Sequence, residues 1–154
     1  MVQAALIAAM YVVLTWVANL LRLANGVIQV RFSEALTILP FFTPAAIPGL
    51  FVGCIISNTI TGSAIWDILF GSLATLIGAF FTYKLRHISK WLAPLTPILA
   101  NILVVPQVLR IVYGAPDSIW YLTATVGIGE VISCGILGML LLFALQKNAN
   151  QIFQ

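Results

Sequence analysis

Charge is what this chain has least of: seven Lys/Arg and four Asp/Glu make up 7% of its 154 residues. A soluble domain carries nearer 25%, because it must wrap its core in a wettable surface. A water-soluble globule is therefore excluded. Cysteine is almost as scarce. Cys54 and Cys134 stand singly in apolar runs, with no CxxC and no neighbouring histidine, so they read as small buried packing residues supporting neither a disulfide nor a metal site. The lone histidine, His87, falls in a basic stretch and reads as solvated or facing headgroups. No GxxxxGK[ST] loop is present, so ATP is not bound by the P-loop route, and no cofactor or nucleophile–base motif points to catalysis. The net charge of +3 is too small and scattered for a nucleic-acid footprint. A basic n-region and a small-residue cleavage site are also missing from the N-terminus, so Ala4 to Leu21 is expected to remain as a true span.

What is there is apolar: 62% hydrophobic residues and a mean hydropathy of +1.10. The composition fits a polytopic membrane protein in a single domain, residues 1–154, with loops too short for a soluble second domain. Apolar runs cover Ala4 to Leu21, Ala35 to Ile60, Ile68 to Tyr83, Trp91 to Val112 and Ile119 to Leu145. The second run would be about 39 Å long as one helix. It holds Pro40, Pro44 and Pro48, each lacking a backbone donor and clashing one turn back, so a break is expected. The reading is two short helices, roughly 34–43 and 46–60, joined by a tight turn. A helix that short must tilt, extend or be sheltered by its neighbours.

Charge placement leaves the number of crossings open. Lys84, Arg86 and Lys90 mark one cytoplasmic loop and Lys147 the C-terminal side. Six crossings put the N-terminus inside and Arg22, Arg31 and Arg110 outside. Five bring Arg22 and Arg31 in, which the positive-inside rule slightly prefers. In the six-crossing reading Glu34, Asp67 and Asp117 lie at outer helix ends, and Glu130 sits about 18 Å down the last helix. Glu130 is a lone carboxylate within the run Ile119 to Leu145. Near the centre of a span it costs on the order of 2.5–3.5 kcal/mol, so it is expected to face a cavity, a partner or the bundle interior. Its plain alternative is a neutral glutamic acid bonded to a neighbouring helix.

Several segments carry a resemblance. Ile28-Gln29-Val30-Arg31-Phe32-Ser33-Glu34-Ala35-Leu36-Thr37 and Leu39-Pro40-Phe41-Phe42-Thr43-Pro44-Ala45-Ala46-Ile47-Pro48-Gly49 closely resemble the QueT family. So do Gly53, Asn58, the Asp67-Ile68-Leu69-Phe70-Gly71-Ser72-Leu73-Ala74-Thr75 segment, Asn101 and Gly127-Ile128-Gly129-Glu130. The resemblance covers nearly the whole chain. It implies an all-α bundle of six transmembrane helices, with both termini cytoplasmic in the cell membrane and a pocket near the extracellular side. It further implies a substrate-binding S component of an energy-coupling factor (ECF) importer for queuosine precursors, 7-deazaguanines such as preQ1 or queuine. Such a component has no cofactor of its own; a T component and two ATPase subunits, which hydrolyse ATP, are its implied partners. The alternatives are another vitamin-like ligand, a stand-alone carrier, or a small membrane enzyme using Glu130 and Asp67 as acid and base. The last finds no support in the spacing, and the absence of an internal repeat counts against a carrier.

Gln3-Ala4-Ala5-Leu6-Ile7-Ala8-Ala9-Met10 resembles the first-helix AxxxA motif of S components, which meets the T component. Alanines four apart form a flat stripe that lets another helix approach closely, within the bundle or across an interface. Two registers exist, Ala4/Ala8 and Ala5/Ala9, and the first is weakly favoured. For a 7-deazaguanine, a carboxylate can accept N1–H and the exocyclic amine together. Glu130 is the first choice for that role, and the Asn101 amide could donate to O6 or simply bond across helices. The cationic aminomethyl group of preQ1 would be met by Glu34 or Asp67. Asp67 could equally cap its helix, and Glu34 could pair with Arg31, itself counted with the site. Trp66, Trp120 and Tyr121 are stacking candidates that could instead be interface residues. Asn58 is either a ligand contact or interhelical glue.

Overall fold

The computed structural model describes residues 1–24 and 26–153. The chain is helical, with no strand among the described residues. Helix α1 covers Val2–Leu20 and is followed by a 3-10 helix, Phe32–Phe41. Then come α2 (Ala46–Ile60), α3 (Ile65–Leu85), α4 (Leu92–Ile111) and α5 (Ile119–Glu130). α5 continues without a break through a π-helical stretch, Val131–Leu137, into α6 (Gly138–Gln146), and a short α7 (Ala149–Ile152) follows. Among the described residues four helices are long and apolar enough to cross a membrane: α1, α3, α4 and the composite Ile119–Gln146. Phe32–Phe41 and α2 are shorter.

The proline-rich run breaks around Pro44, with Pro40 inside the first piece and Pro48 in the first turn of α2, but the first piece begins earlier than residue 34 and winds as a 3-10 helix. That winding rises about 2.0 Å per residue, so ten residues reach about 20 Å where an α-helix would reach about 15 Å. The piece touches α1, α2, α3, α4, the π-helical stretch and α6. Ser33, Glu34, Leu36, Thr37, Ile38, Leu39 and Pro40 are all buried. It is the axis of the bundle, and its neighbours shelter backbone that lipid could not satisfy. The outward faces of the surrounding helices are apolar, with Leu6, Val13, Trp16, Ile77 and Leu103 exposed among many others, as lipid contact demands.

Close packing depends on small residues. A Cβ on Gly49 would stand 2.7 Å from the carbonyl oxygen of Ala4, and one on Gly53 would stand 2.8 Å from Tyr11 Cβ. α1 and α2 therefore cross nearly backbone to backbone. Ala8 is buried and Ala4 half-buried on that crossing, while Ala5 and Ala9 are exposed. Between α3 and α4, Pro97 cannot donate to the carbonyl of Ala93 one turn back. Thr82 Oγ1 donates to that carbonyl instead, at 3.0 Å, so the kink-prone residue leaves no orphaned acceptor.

Each consecutive pair of segments is joined by a short connection or a compact loop, so the chain runs up and down. One end of the bundle gathers the ends of α1 and α2 and the starts of the 3-10 helix, α3 and α5. The opposite end carries Lys84, Arg86, His87, Lys90 and Lys147.

Candidate ligand-binding site

Two adjoining cavities open at the end that carries the acids. The first, about 330 Å³, is lined by Gln29, Arg31, Asp117, Tyr121, Thr125 and Glu130, with Val105 and Leu109 as its apolar wall. The second, about 420 Å³, is lined by Asn19, Asn58, Ser63, Asp67 and Tyr113 and shares Gln29, Arg31, Val105 and Leu109 with the first. Gln29 and Arg31 thus form a partition between two lobes. Volumes of this size suit a small, bicyclic molecule.

The partition comes from the loop between α1 and the 3-10 helix, which folds inward. Arg22, with φ 57, turns the chain in the left-handed region, and Leu23 N–H donates back to Ala18 at 3.0 Å. Val30 N–H donates to Leu23 at 3.0 Å and Arg31 N–H to Ser133 Oγ at 3.0 Å, so the loop is tied to itself and to the π-helical stretch. Gly129 makes the approach possible: a Cβ there would lie 2.2 Å from the carbonyl oxygen of Gln29. Ser118 caps α5 by accepting from Tyr121 N–H at 3.3 Å, fixing the first turn that carries Tyr121 to the cavity.

Glu130 is buried and lines the first lobe, with the Asn101 amide beside its carboxyl. Asn101 itself is buried on α4 and lies outside the lining of both lobes. Glu34 does not stand at the mouth. It is buried in the axis, where Tyr11 Oη donates to its Oε1 at 2.5 Å. Arg31, the expected partner of Glu34, donates instead to Gln29 Oε1 at 3.2 Å. The early start of the 3-10 helix turns Glu34 inward and leaves Arg31 in the cavity wall. Asp67 is not the cap of α3, because that helix starts earlier than residue 68 and its cap position is Ala64. Its Oδ2 accepts from Tyr113 Oη at 2.8 Å, while Ala64 N–H donates to the same phenol at 3.0 Å. Partial burial and then Asp67 push the Tyr113 hydroxyl above its ordinary value. Asn58 is buried, lines the second lobe and donates to Cys54 Sγ at 3.4 Å, so it is both wall and glue.

The tryptophans face away. Trp120 is 81% exposed, and Trp66 stacks on Phe70 outside both lobes, as residues of a membrane interface do. Tyr121 is the aromatic that lines the first lobe, and Tyr113 lines the second. Gln29 and Asp117 are site-lining residues that the sequence reading passed over. An inward-folding loop has no periodic signal, and only the polar run beside Arg31 hinted at Gln29.

Comparison with known proteins adds a family. The profile of a family described as "QueT transporter" matches residues 1–147. The curated "Queuosine precursor transporter QueT" of Lactococcus lactis subsp. cremoris (strain MG1363) is 38% identical over 76 residues, 49% of this chain. The matched stretch is 44% of that relative's own length. No solved structure matches the chain.

Proposed function

The chain belongs to the QueT transporter family, and from that premise we propose that it captures a queuosine precursor, a 7-deazaguanine, in the two-lobed cavity. Glu130 accepts the N1–H and exocyclic amine donors of the base. Gln29 or Arg31 donates to O6, and Tyr121 supplies the flat face. Asp117, exposed at the rim of the first lobe, meets the cationic aminomethyl group of a precursor such as preQ1. The second lobe, with Asn58 and Asp67, takes whatever the 7-substituent carries further. The observation that carries this reading is one buried carboxylate lining a cavity that sets hydrogen-bonding side chains and a tyrosine against an apolar wall.

The same reading makes the protein an S component of an ECF importer in the cell membrane. Six segments cross, the two short ones sheltered by the other four. The cavity end faces outward and both termini lie in the cytoplasm, beside Lys84, Arg86, Lys90 and Lys147, as the positive-inside rule favours. Energy comes from two partner ATPases through a T component. The exposed Ala5/Ala9 stripe, not Ala4/Ala8, is the small-residue surface left for that partner. The test is calorimetric titration of the detergent-purified chain with preQ1, queuine, guanine and an unrelated vitamin. Selective binding of a deazaguanine supports the reading; equal or absent heat with all four overturns it.

A further inference from the structure

Behind the floor of the first lobe lie three acidic groups, one from the axial 3-10 helix and two, four residues apart, from the last helix. Glu34 comes from the 3-10 helix, Glu130 from the end of α5 and Cys134 from the π-helical stretch. One carboxylate oxygen from each glutamate and the Cys134 sulfur lie within 4.8 Å of one another, and all three residues are buried. Glu34 and Cys134 line neither lobe, so a bulky ligand in the cavity does not reach between them. We infer that Glu34, Glu130 and Cys134 form a site for one thiophilic divalent cation of the zinc or cobalt kind.

Four observations point to a small cation. Glu34 Oε2 is fully buried and has no hydrogen-bond partner, although Tyr11 holds the other oxygen of the same carboxylate. An orphaned carboxylate oxygen in a membrane interior is costly unless a cation or proton meets it. The donor set mixes one sulfur with two oxygens, which suits a borderline-soft ion better than Mg²⁺ or Ca²⁺. The Cys134 thiol donates to Glu130 Oε2 at 3.2 Å, and loss of that proton to an entering cation would leave the pair near the ligand–ligand edge of about 3.4–3.6 Å in a tetrahedral zinc site. The supporting contacts are those that fix metal ligands: Tyr11 Oη donates to Glu34 Oε1, and Thr37 Oγ1 lies 3.5 Å from the Cys134 sulfur. Glu130 can serve both sides, since an ionised carboxylate offers about four lone-pair sites, some for the ion behind it and some for donors in the cavity. The ion would hold the Glu130 carboxylate ionised and aimed at the ligand. Glu130 and Cys134 are one turn apart on the last helix, but Glu34 comes from a remote stretch, so sequence spacing alone could not complete the set.

The experiment titrates the purified, metal-stripped full chain with Co²⁺ and follows sulfur-to-cobalt charge-transfer absorption. No transport ligand is present, so the outcome is independent of the substrate proposed above. The expected result is one equivalent bound per chain, with a band that is kept in Cys54→Ser and lost in Cys134→Ser. Glu34→Gln should weaken cobalt binding about tenfold or more. Binding should also weaken as pH falls, because the ligands must be deprotonated. Folding of each variant is checked by circular dichroism. The wild-type protein decides the matter even if a variant fails to fold. No charge-transfer band at excess Co²⁺, or a band that follows Cys54, overturns the proposal.

Discussion

The two ends of the bundle are built by opposite rules. At the basic end, regular α-helices cross closely through Gly49 on Ala4 and Gly78 on Pro97. Its cations lie on aromatic faces: Lys84 is 5.5 Å from the Phe80 ring centre, Arg86 3.7 Å from Tyr83, and Lys90 4.7 Å from Phe143. At the acidic end two cavities open, and between the two ends the regular winding gives way to the 3-10 axis and the π-helical stretch, which bury Glu34, Thr37 and Ser133. Irregular windings cannot fill space as uniformly as packed α-helices, and they turn side chains such as Glu34 and Cys134 to positions a regular helix would not give. The contrast separates a scaffold from a site within one small chain.

Substitutions at either end should part along that line. The largest effect belongs to Glu130→Gln. Breaking a buried, hydrogen-bonded charge contact is worth roughly 2–5 kcal/mol, so deazaguanine affinity should fall by at least about 30-fold. The thermal transition in detergent should stay near that of the parent, and unchanged affinity by calorimetry would remove Glu130 from the site. Gly129→Val comes next, since its Cβ would meet the Gln29 carbonyl oxygen 2.2 Å away. The partition loop must move, so affinity should fall about tenfold and stability by about 1–3 kcal/mol. A variant that binds normally would show that the loop does not shape the cavity.

At the scaffold end, Gly49→Val forces α1 away from α2 and should destabilise the chain by about 1–3 kcal/mol. Any protein that remains folded should keep its ligand affinity. A selective loss of binding there would break the division between scaffold and site. The smallest effect is expected of Tyr113→Phe, which removes the bond to Asp67 at the rim and should lower stability by about 0.5–1.5 kcal/mol. The Tyr113 hydroxyl is raised in the folded protein, so its contribution is complete below the ordinary tyrosine range near pH 10 and is lost as pH rises through the raised value. Alkaline melting of the parent and the variant should therefore converge, and a constant gap at every pH would assign the bond no role.

Much of the scaffold was legible in the sequence. Apolar runs located α1, α3, α4 and the composite last helix to within a few residues, because lipid demands continuous apolar length. Pro44 marked the break between the two short pieces, because proline removes a donor, whereas Pro40 and Pro48 are carried inside them. Their winding was not legible: whether ten residues form a 3-10 or an α-helix depends on what surrounds them. That hidden choice decides whether Glu34 faces the rim or the core. Glu130 could be singled out because an isolated carboxylate in an apolar run is conspicuous. Tyr121 and Trp120 are adjacent in sequence, and only the cap at Ser118 and the rotation of α5 decide which of them meets the cavity. Cys134 read as a packing residue because Glu130 one turn away was the single acidic neighbour in its own run, and Glu34 is remote in the chain.

The most direct test of the division between the ends is a structure of the chain with preQ1 bound. The base is expected in the first lobe, its N1–H and exocyclic amine on the Glu130 carboxylate and its face against Tyr121. A ligand seated away from Glu130, above all at the basic end, would contradict it.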